Sequence, residues 1–177
     1  ANVDTTIEKK NAPLPFNLAE LQAECSKKFK IRPAQTLETA QSLYEKKLTT
    51  YPRTDARVLS SAIAKEIGKN LEGLQADPVV GKYAAEILTN NWHDNIQHKK
   101  YVNDNKITDH YAIIPTGQPA AAETLSVLEK KVYELIVRRF LAIFYPVAEY
   151  SKLTVRENAD LETFSFSGKT LRSIGYL

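Results

Sequence analysis

Two short stretches hold the residue types from which a reaction could be built: Tyr51-Pro52-Arg53-Thr54-Asp55, and Asp109-His110 further along the chain. A phenol with an ordinary pKa of about 10 is a poor nucleophile at neutral pH, so Tyr51 would need stabilised negative charge and help with its proton. Residue types alone argue weakly, because most tyrosines are packing residues and most arginines lie on the surface. His93, His98 and His110 are too scattered to name a metal site. The chain has no Gly-rich phosphate loop, no paired cysteines for zinc, no H-E-x-x-H and no G-x-S-x-G. That removes the commonest nucleotide-binding, zinc and serine-hydrolase chemistries.

These residues must be held by a mainly helical scaffold. Val3 to Lys10 suits a short edge strand, and Ala12-Pro13-Leu14-Pro15 breaks regular structure. Asn17 with Glu20 then opens a helix carrying Leu18, Leu21, Cys25 and Phe29 on one face. After Pro33 a second helix carries Ala34, Leu37, Ala40, Tyr44 and Leu48, and is expected to end as it meets Thr49-Thr50-Tyr51-Pro52, because Pro52 pushes Tyr51 out of the helical region. Ser60 caps a third helix with Ile63, Ala64 and Ile67 inward, and Asp77-Pro78 reads as cap and first-turn proline of a fourth.

Residues 90–109 are polar and irregular, whereas Ala112-Ile113-Ile114 reads as a buried extended segment. Ser126 and Glu129 form a capping box for a long helix through Tyr133, Ile136, Phe140 and Ile143 to Pro146. From Tyr150 the period becomes two, through Leu153 and Val155, then Phe164 and Phe166 before an expected turn at Gly168. The fold class expected is mainly α with flanking β (α+β). A helical tyrosine-bearing domain (14–146) is inserted into part of a small antiparallel β domain supplied by 1–13 and 147–177.

The string Leu48-Thr49-Thr50-Tyr51-Pro52-Arg53-Thr54-Asp55 resembles the active-site motif of type IA DNA topoisomerases, whose core reads roughly Tyr-x-Arg-Thr-Asp/Glu. Pro15-Phe16-Asn17-Leu18 and Leu37-Glu38-Thr39-Ala40-Gln41-Ser42-Leu43-Tyr44-Glu45 resemble the segment leading into it. Downstream, Asp109-His110-Tyr111-Ala112-Ile113-Ile114-Pro115-Thr116 resembles the family's His-x-Ala-Ile-x-Pro-Thr element, and Arg138-Arg139-Phe140-Leu141-Ala142 and Phe166-Ser167-Gly168-Lys169 also look familial. The matches come in the family's order and cover nearly the whole chain. Pro52 and the Ala-Ile-Ile-Pro-Thr form look closer to topoisomerase III than to bacterial topoisomerase I.

The resemblance implies roles. Tyr51 would attack a DNA phosphodiester and become linked to the 5′ phosphate, in an enzyme that passes a second strand and reseals without ATP. Arg53, two residues on in an extended stretch, would share the nucleophile's side and hold the scissile phosphate. Asp55 would orient Arg53, since a carboxylate repels phosphate. His110 would contact the strand as a partly protonated imidazole, or be a buried neutral histidine. Thr54 would bond the DNA backbone or cap its own turn, and Gln41 and Glu45 would line the strand path or form a solvated helix face.

The family's Mg²⁺ belongs to a separate acidic domain whose carboxylate cluster and lysine have no counterpart here, so no cofactor is expected on this segment and the segment alone is expected to be inactive. The partners implied are single-stranded DNA and the remaining domains of a parent chain. A non-catalytic single-stranded DNA-binding module on the same scaffold is the alternative. A tyrosine recombinase fits less well, because there the nucleophile follows the Arg and His motifs.

Composition agrees without deciding. At 177 residues, 43% hydrophobic and 25% charged, the chain can bury one good core. A net charge of +3 permits nucleic acid without arguing for it. Lys27-Lys28 with Lys30 and Arg32, Lys46-Lys47, Lys99-Lys100 and Arg138-Arg139 are candidate strand contacts, of which about half are expected to be ordinary solvated charge. No apolar run of roughly 20 residues is present, nor a signal peptide, and the lone Cys25 needs no oxidising compartment, so a cytoplasmic protein without membrane contact is expected. The absence of methionine suits an internal segment of a longer protein.

Overall fold

A computed structural model describes residues 2–119, 124–159 and 162–173, with side chains for 7–119 and 124–148. The chain forms two compact units, Ala1–Ala12 with Tyr145–Leu177, and Pro13–Phe144. The first is a three-stranded antiparallel sheet of β1 (Asn2–Lys10), β2 (Ala148–Ala159) and β3 (Glu162–Ser173) in the order β1-β2-β3. Strands from both ends of the chain therefore meet in one sheet. Gly168 is no turn: it lies inside β3 opposite Leu153, so the lone glycine marks a strand position without a side chain, not a strand end. The β2–β3 connection falls at 160–161, outside the described residues.

The second unit is helical, with α1 (Leu18–Phe29), α2 (Pro33–Glu45), α3 (Ser61–Leu74), α4 (Gly81–Thr89) and α5 (Val127–Ala142). The fold is thus mainly α with a flanking antiparallel sheet. Asn17 caps α1 by accepting from the Glu20 amide at 2.8 Å, Ser60 caps α3, and Ser126 with Glu129 closes both bonds of a capping box on α5. Asp77 caps too, but it holds the turn at Val79 and Val80, and α4 begins later at Gly81. The core gathers Phe16, Leu21, Leu43, Leu59, Ile67, Leu71, Ile113 and Phe140, each almost wholly buried.

The end of α2 differs from expectation in a way that matters for the site. The helix stops at Glu45, short of Leu48, because Lys47 adopts the left-handed conformation (φ 64°). The Lys47 amide donates to Tyr44 O at 2.8 Å and the Leu48 amide to Leu43 O at 3.0 Å, a Schellman stop with buried Leu43 and Leu48 at its two hydrophobic positions. A lysine there carries a Cβ penalty that glycine lacks. Lys47→Gly should therefore stabilise the protein by roughly 1 kcal/mol in a denaturant titration; an unchanged midpoint would show that the stop is not strained.

Candidate active site

The Schellman stop releases residues 48–54 as an extended segment that pairs with 110–116. Thr116 donates its amide to Leu48 O at 3.0 Å and its hydroxyl to Lys47 O at 2.7 Å. Thr50 donates its amide to Ile114 O at 3.0 Å and its hydroxyl to Ala112 O at 3.0 Å, while that hydroxyl accepts from the Ile114 amide at 3.0 Å. A third segment buttresses the pair: the Ile113 amide donates to Phe16 O at 2.8 Å and the Leu18 amide to Thr54 O at 3.1 Å. Backbone on both sides of Tyr51 is thereby fixed by residues distant in sequence.

Tyr51 emerges half-buried on an open cleft of about 520 Å³, whose lining includes Tyr44, Glu45, Lys47, Thr49 and His110. Its ring centroid lies 4.6 Å from the His110 imidazole, at 41°, and 5.2 Å from the Tyr44 ring, edge-on at 77°. His110 is exposed and lines the same cleft, so it is not a buried core histidine. Its reach is to the cleft.

Arg53 is exposed, lies outside the cleft lining and has no hydrogen bond or ion pair among the described residues. The alternation expected to put it beside Tyr51 is broken, because the Thr54 amide donates to Pro52 O at 3.0 Å and closes a three-residue turn centred on Arg53. Asp55 is also exposed and forms no ion pair with Arg53; only its backbone carbonyl is engaged, accepting from Asn17 Nδ2 at 3.2 Å.

Thr54 is buried and takes the local one of its two roles: its hydroxyl donates to His110 O at 3.2 Å and accepts from the Ala56 amide at 3.1 Å. It ties the tyrosine segment to the histidine segment. Gln41 Nε2 donates to Glu45 Oε1 at 3.4 Å, and Glu45 lines the cleft while Gln41 is not part of its lining.

The basic groups divide similarly. Lys46 is spent on structure, donating to Glu129 Oε2 at 2.8 Å and Thr124 O at 2.7 Å, whereas its neighbour Lys47 lines the cleft. Arg138 pairs with Glu134 at 2.8 Å. Arg139 donates to Leu14 O at 3.2 Å and lies 4.0 Å over the Phe16 ring, where burial pushes its pKa down. Arg57 donates to Leu14 O as well, so the segment leading into α1 is strapped from two sides.

Lys46, the Ser126 amide and Ser42 together hold the Glu129 carboxyl down at about 2, from an ordinary 4.5. Because the folded pKa is depressed, the stabilisation is full above about pH 4.5 and is lost as pH falls toward 2. Glu129→Gln should cost about 2 kcal/mol at pH 7, allowing for solvent screening, and nearly nothing near pH 2. Urea unfolding of both proteins across that range measures it, and a pH-independent difference would contradict the assignment.

No group of three or more His, Cys, Asp or Glu residues among the described residues is placed to hold a metal ion. No helix among them is long and apolar enough to cross a membrane.

Comparison with known proteins identifies the family. A family model described as DNA topoisomerase matches residues 1–177. DNA topoisomerase 3 of Bacillus subtilis is 42% identical over 177 residues, covering 99% of this chain and 24% of that protein, and that of Bacillus licheniformis is 43% identical over 172 residues, covering 97% and 23%. The chain therefore spans about a quarter of the length of these relatives. The solved structure of full-length topoisomerase I from Thermotoga maritima superposes with a TM-score of 0.64 at 25% identity, covering 99% of this chain and 28% of that one. With the whole chain matched by the family model and by close relatives, this chain belongs to the type IA DNA topoisomerase family.

Proposed function

We infer that this chain carries the DNA-cleaving tyrosine of a type IA topoisomerase, and that in the whole protein Tyr51 transiently cuts one DNA strand. The observation that carries the reading is the Tyr51 ring held on an open cleft beside exposed His110 and the cation Lys47. The phenol oxygen attacks the phosphorus of one phosphodiester, and the bond from phosphorus to the upstream 3′ oxygen breaks. The phenol gives up its proton, the leaving 3′ oxygen gains one, and the 5′ phosphate of the downstream piece stays on Tyr51.

After a second strand passes, the 3′ hydroxyl attacks the phosphotyrosine and restores both starting bonds. The ester conserves the energy of the broken bond, so relaxation or decatenation needs no ATP. Lys47 and His110 offset phosphate charge at the cleft, and Arg53, free of partners, swings onto the strand when it binds. Single-stranded DNA suits the aromatic cleft because unpaired bases can stack there. Mg²⁺ belongs to another part of the whole protein, whose place of action is the cytoplasm, and this chain alone does not cleave.

The test uses the full-length protein and a single-stranded oligonucleotide. A label on the 3′ end should become covalently attached to protein and a label on the 5′ end should not, because the tyrosine keeps the downstream piece. Attachment of the 5′ label would reverse the polarity, and binding without any covalent product would favour the non-catalytic module. Arg53→Lys keeps the charge but loses the planar fork, so single-turnover cleavage should fall about tenfold or more with strand affinity little changed; normal cleavage would remove Arg53 from the site.

A further inference from the structure

The cleft contains more than a nucleophile and phosphate contacts need. Tyr44, one of the few large apolar side chains left exposed (40%), stands edge-on to Tyr51 and keeps ring surface open to the cleft. Glu45 puts a carboxylate on the same lining, where it opposes a phosphate but can accept from an N–H donor. Thr49, only 2% exposed, also lines the cleft, and its hydroxyl has no hydrogen-bond partner among the described residues. Buried polar groups rarely stay unpaired, so an orphaned hydroxyl in a cleft wall points to a ligand with polar edges.

An aromatic face, a carboxylate and a buried hydroxyl together suit a planar heterocycle with amino groups on its rim. A volume of about 520 Å³ falls in the ordinary range for small-molecule sites and has room for one nucleoside.

Resting on the reading that Tyr51 cuts DNA, we propose that this cleft takes one unstacked base of the attacked strand, next to the scissile phosphate. Tyr44 supplies the stacking face, and Glu45 reads the edge of the base, with Thr49 in the wall behind them. The contact makes cleavage depend on base identity. Cytosine and adenine present an exocyclic amino group to Glu45, whereas thymine presents a carbonyl oxygen that the carboxylate repels. Gln41, bonded to Glu45 at 3.4 Å, is a positioning residue for that carboxylate.

The experiment measures single-turnover cleavage by the full-length protein on oligonucleotides that differ only at the nucleotides flanking the scissile phosphate, each of the four bases and an abasic residue being placed in turn. At one flanking position, cytosine or adenine should be cut about tenfold faster than thymine, and Glu45→Gln, which can donate as well as accept, should shrink that ratio to about twofold or less. Tyr44→Ala should slow cleavage about tenfold on normal strands but not on the strand abasic at that position, and Tyr44→Phe should recover most of the rate.

An indifferent wild type, an unchanged ratio in Glu45→Gln, or an equal Tyr44→Ala effect on abasic and normal strands overturns the base pocket while leaving Tyr51 as the nucleophile. A wild type that forms no covalent product at all overturns both readings. Tyr44→Phe keeps the ring contact with Tyr51 and Glu45 is exposed, so Tyr44→Phe and Glu45→Gln should melt with the wild type, whereas Tyr44→Ala forfeits that contact and is read only by the difference between its normal and abasic strands.

Discussion

Tyr51→Phe in the full-length protein is expected to eliminate covalent DNA–protein product while leaving strand affinity within about twofold, because only one hydroxyl is removed and binding rests on many phosphate contacts. The change should be silent for folding. The ring contacts with His110 at 4.6 Å and Tyr44 at 5.2 Å are made by the aromatic ring, which phenylalanine keeps, so stability should move by no more than about 0.5 kcal/mol. Gel separation of labelled adducts, with a binding titration on the same preparation, measures both halves. Adducts that persist would transfer the role to another tyrosine, and Tyr44, next to Tyr51 on the cleft, is the first to mutate.

Gly73→Ala should produce the largest loss of stability of any single methyl added to the helical unit. A Cβ at Gly73 would overlap the carbonyl of Gly117, and a Cβ at Gly117 would lie 2.9 Å from Asn70 Cα, so α3 and the turn after Thr116 meet backbone to backbone. Gly117 also has φ +93°, which side chains rarely adopt. Neither partner is a flexible side chain that can yield. Overpacking here should cost about 3 kcal/mol, well beyond the roughly 1 kcal/mol that alanine gains over glycine within a helix.

Gly68 on the same helix is the control, since its added Cβ would sit 3.7 Å from the His93 ring in ordinary contact. Gly68→Ala should be neutral or stabilising, while Gly73→Ala should lower Tm by roughly 10 °C. Equal melting temperatures for the two variants would show that the backbone contact can relax. Because Thr116 anchors Lys47 and Leu48, displacing its neighbour Gly117 should also disturb the tyrosine segment, so cleavage by the full-length protein should fall with stability.

Helices were legible where side chains announce their own ends. Asn17, Ser60 and the Ser126–Glu129 box all cap as their types suggest, because a short polar side chain before an apolar period has few other uses. Features decided by backbone conformation alone were not. Lys47 ends α2 in a conformation that glycine usually signals, and Gly168 signals a turn that the strand does not make.

At the site, Tyr51 and His110 stand out only by resemblance, and nothing in their local sequence says that they meet. The meeting depends on Thr50 and Thr54, whose hydroxyls each bond a carbonyl more than fifty residues away, while a threonine in sequence looks the same whether it faces solvent or staples two segments. Arg53 shows the opposite limit: alternation predicted its direction, and a single hydrogen bond between Thr54 and Pro52 cancels it.

The pairing of 47–54 with 110–116 also bears on how the molecule comes to be folded. Thr50 and Ala112 are separated by 62 positions and Thr116 and Lys47 by 69, so joining them closes a long loop at an entropic cost on the order of 4 kcal/mol. Helices α3 and α4 lie inside that loop and can form from local contacts, so the threonine-stapled pair is expected to form after them. Until it does, Tyr51 is a tyrosine on the frayed tail of a helix, with no imidazole against its ring and no cleft around it. Residue 116 must be made before the tyrosine ring, the imidazole and the cleft can come together. The cleft around Tyr51 thus comes into being only after most of this helical unit has been made and folded.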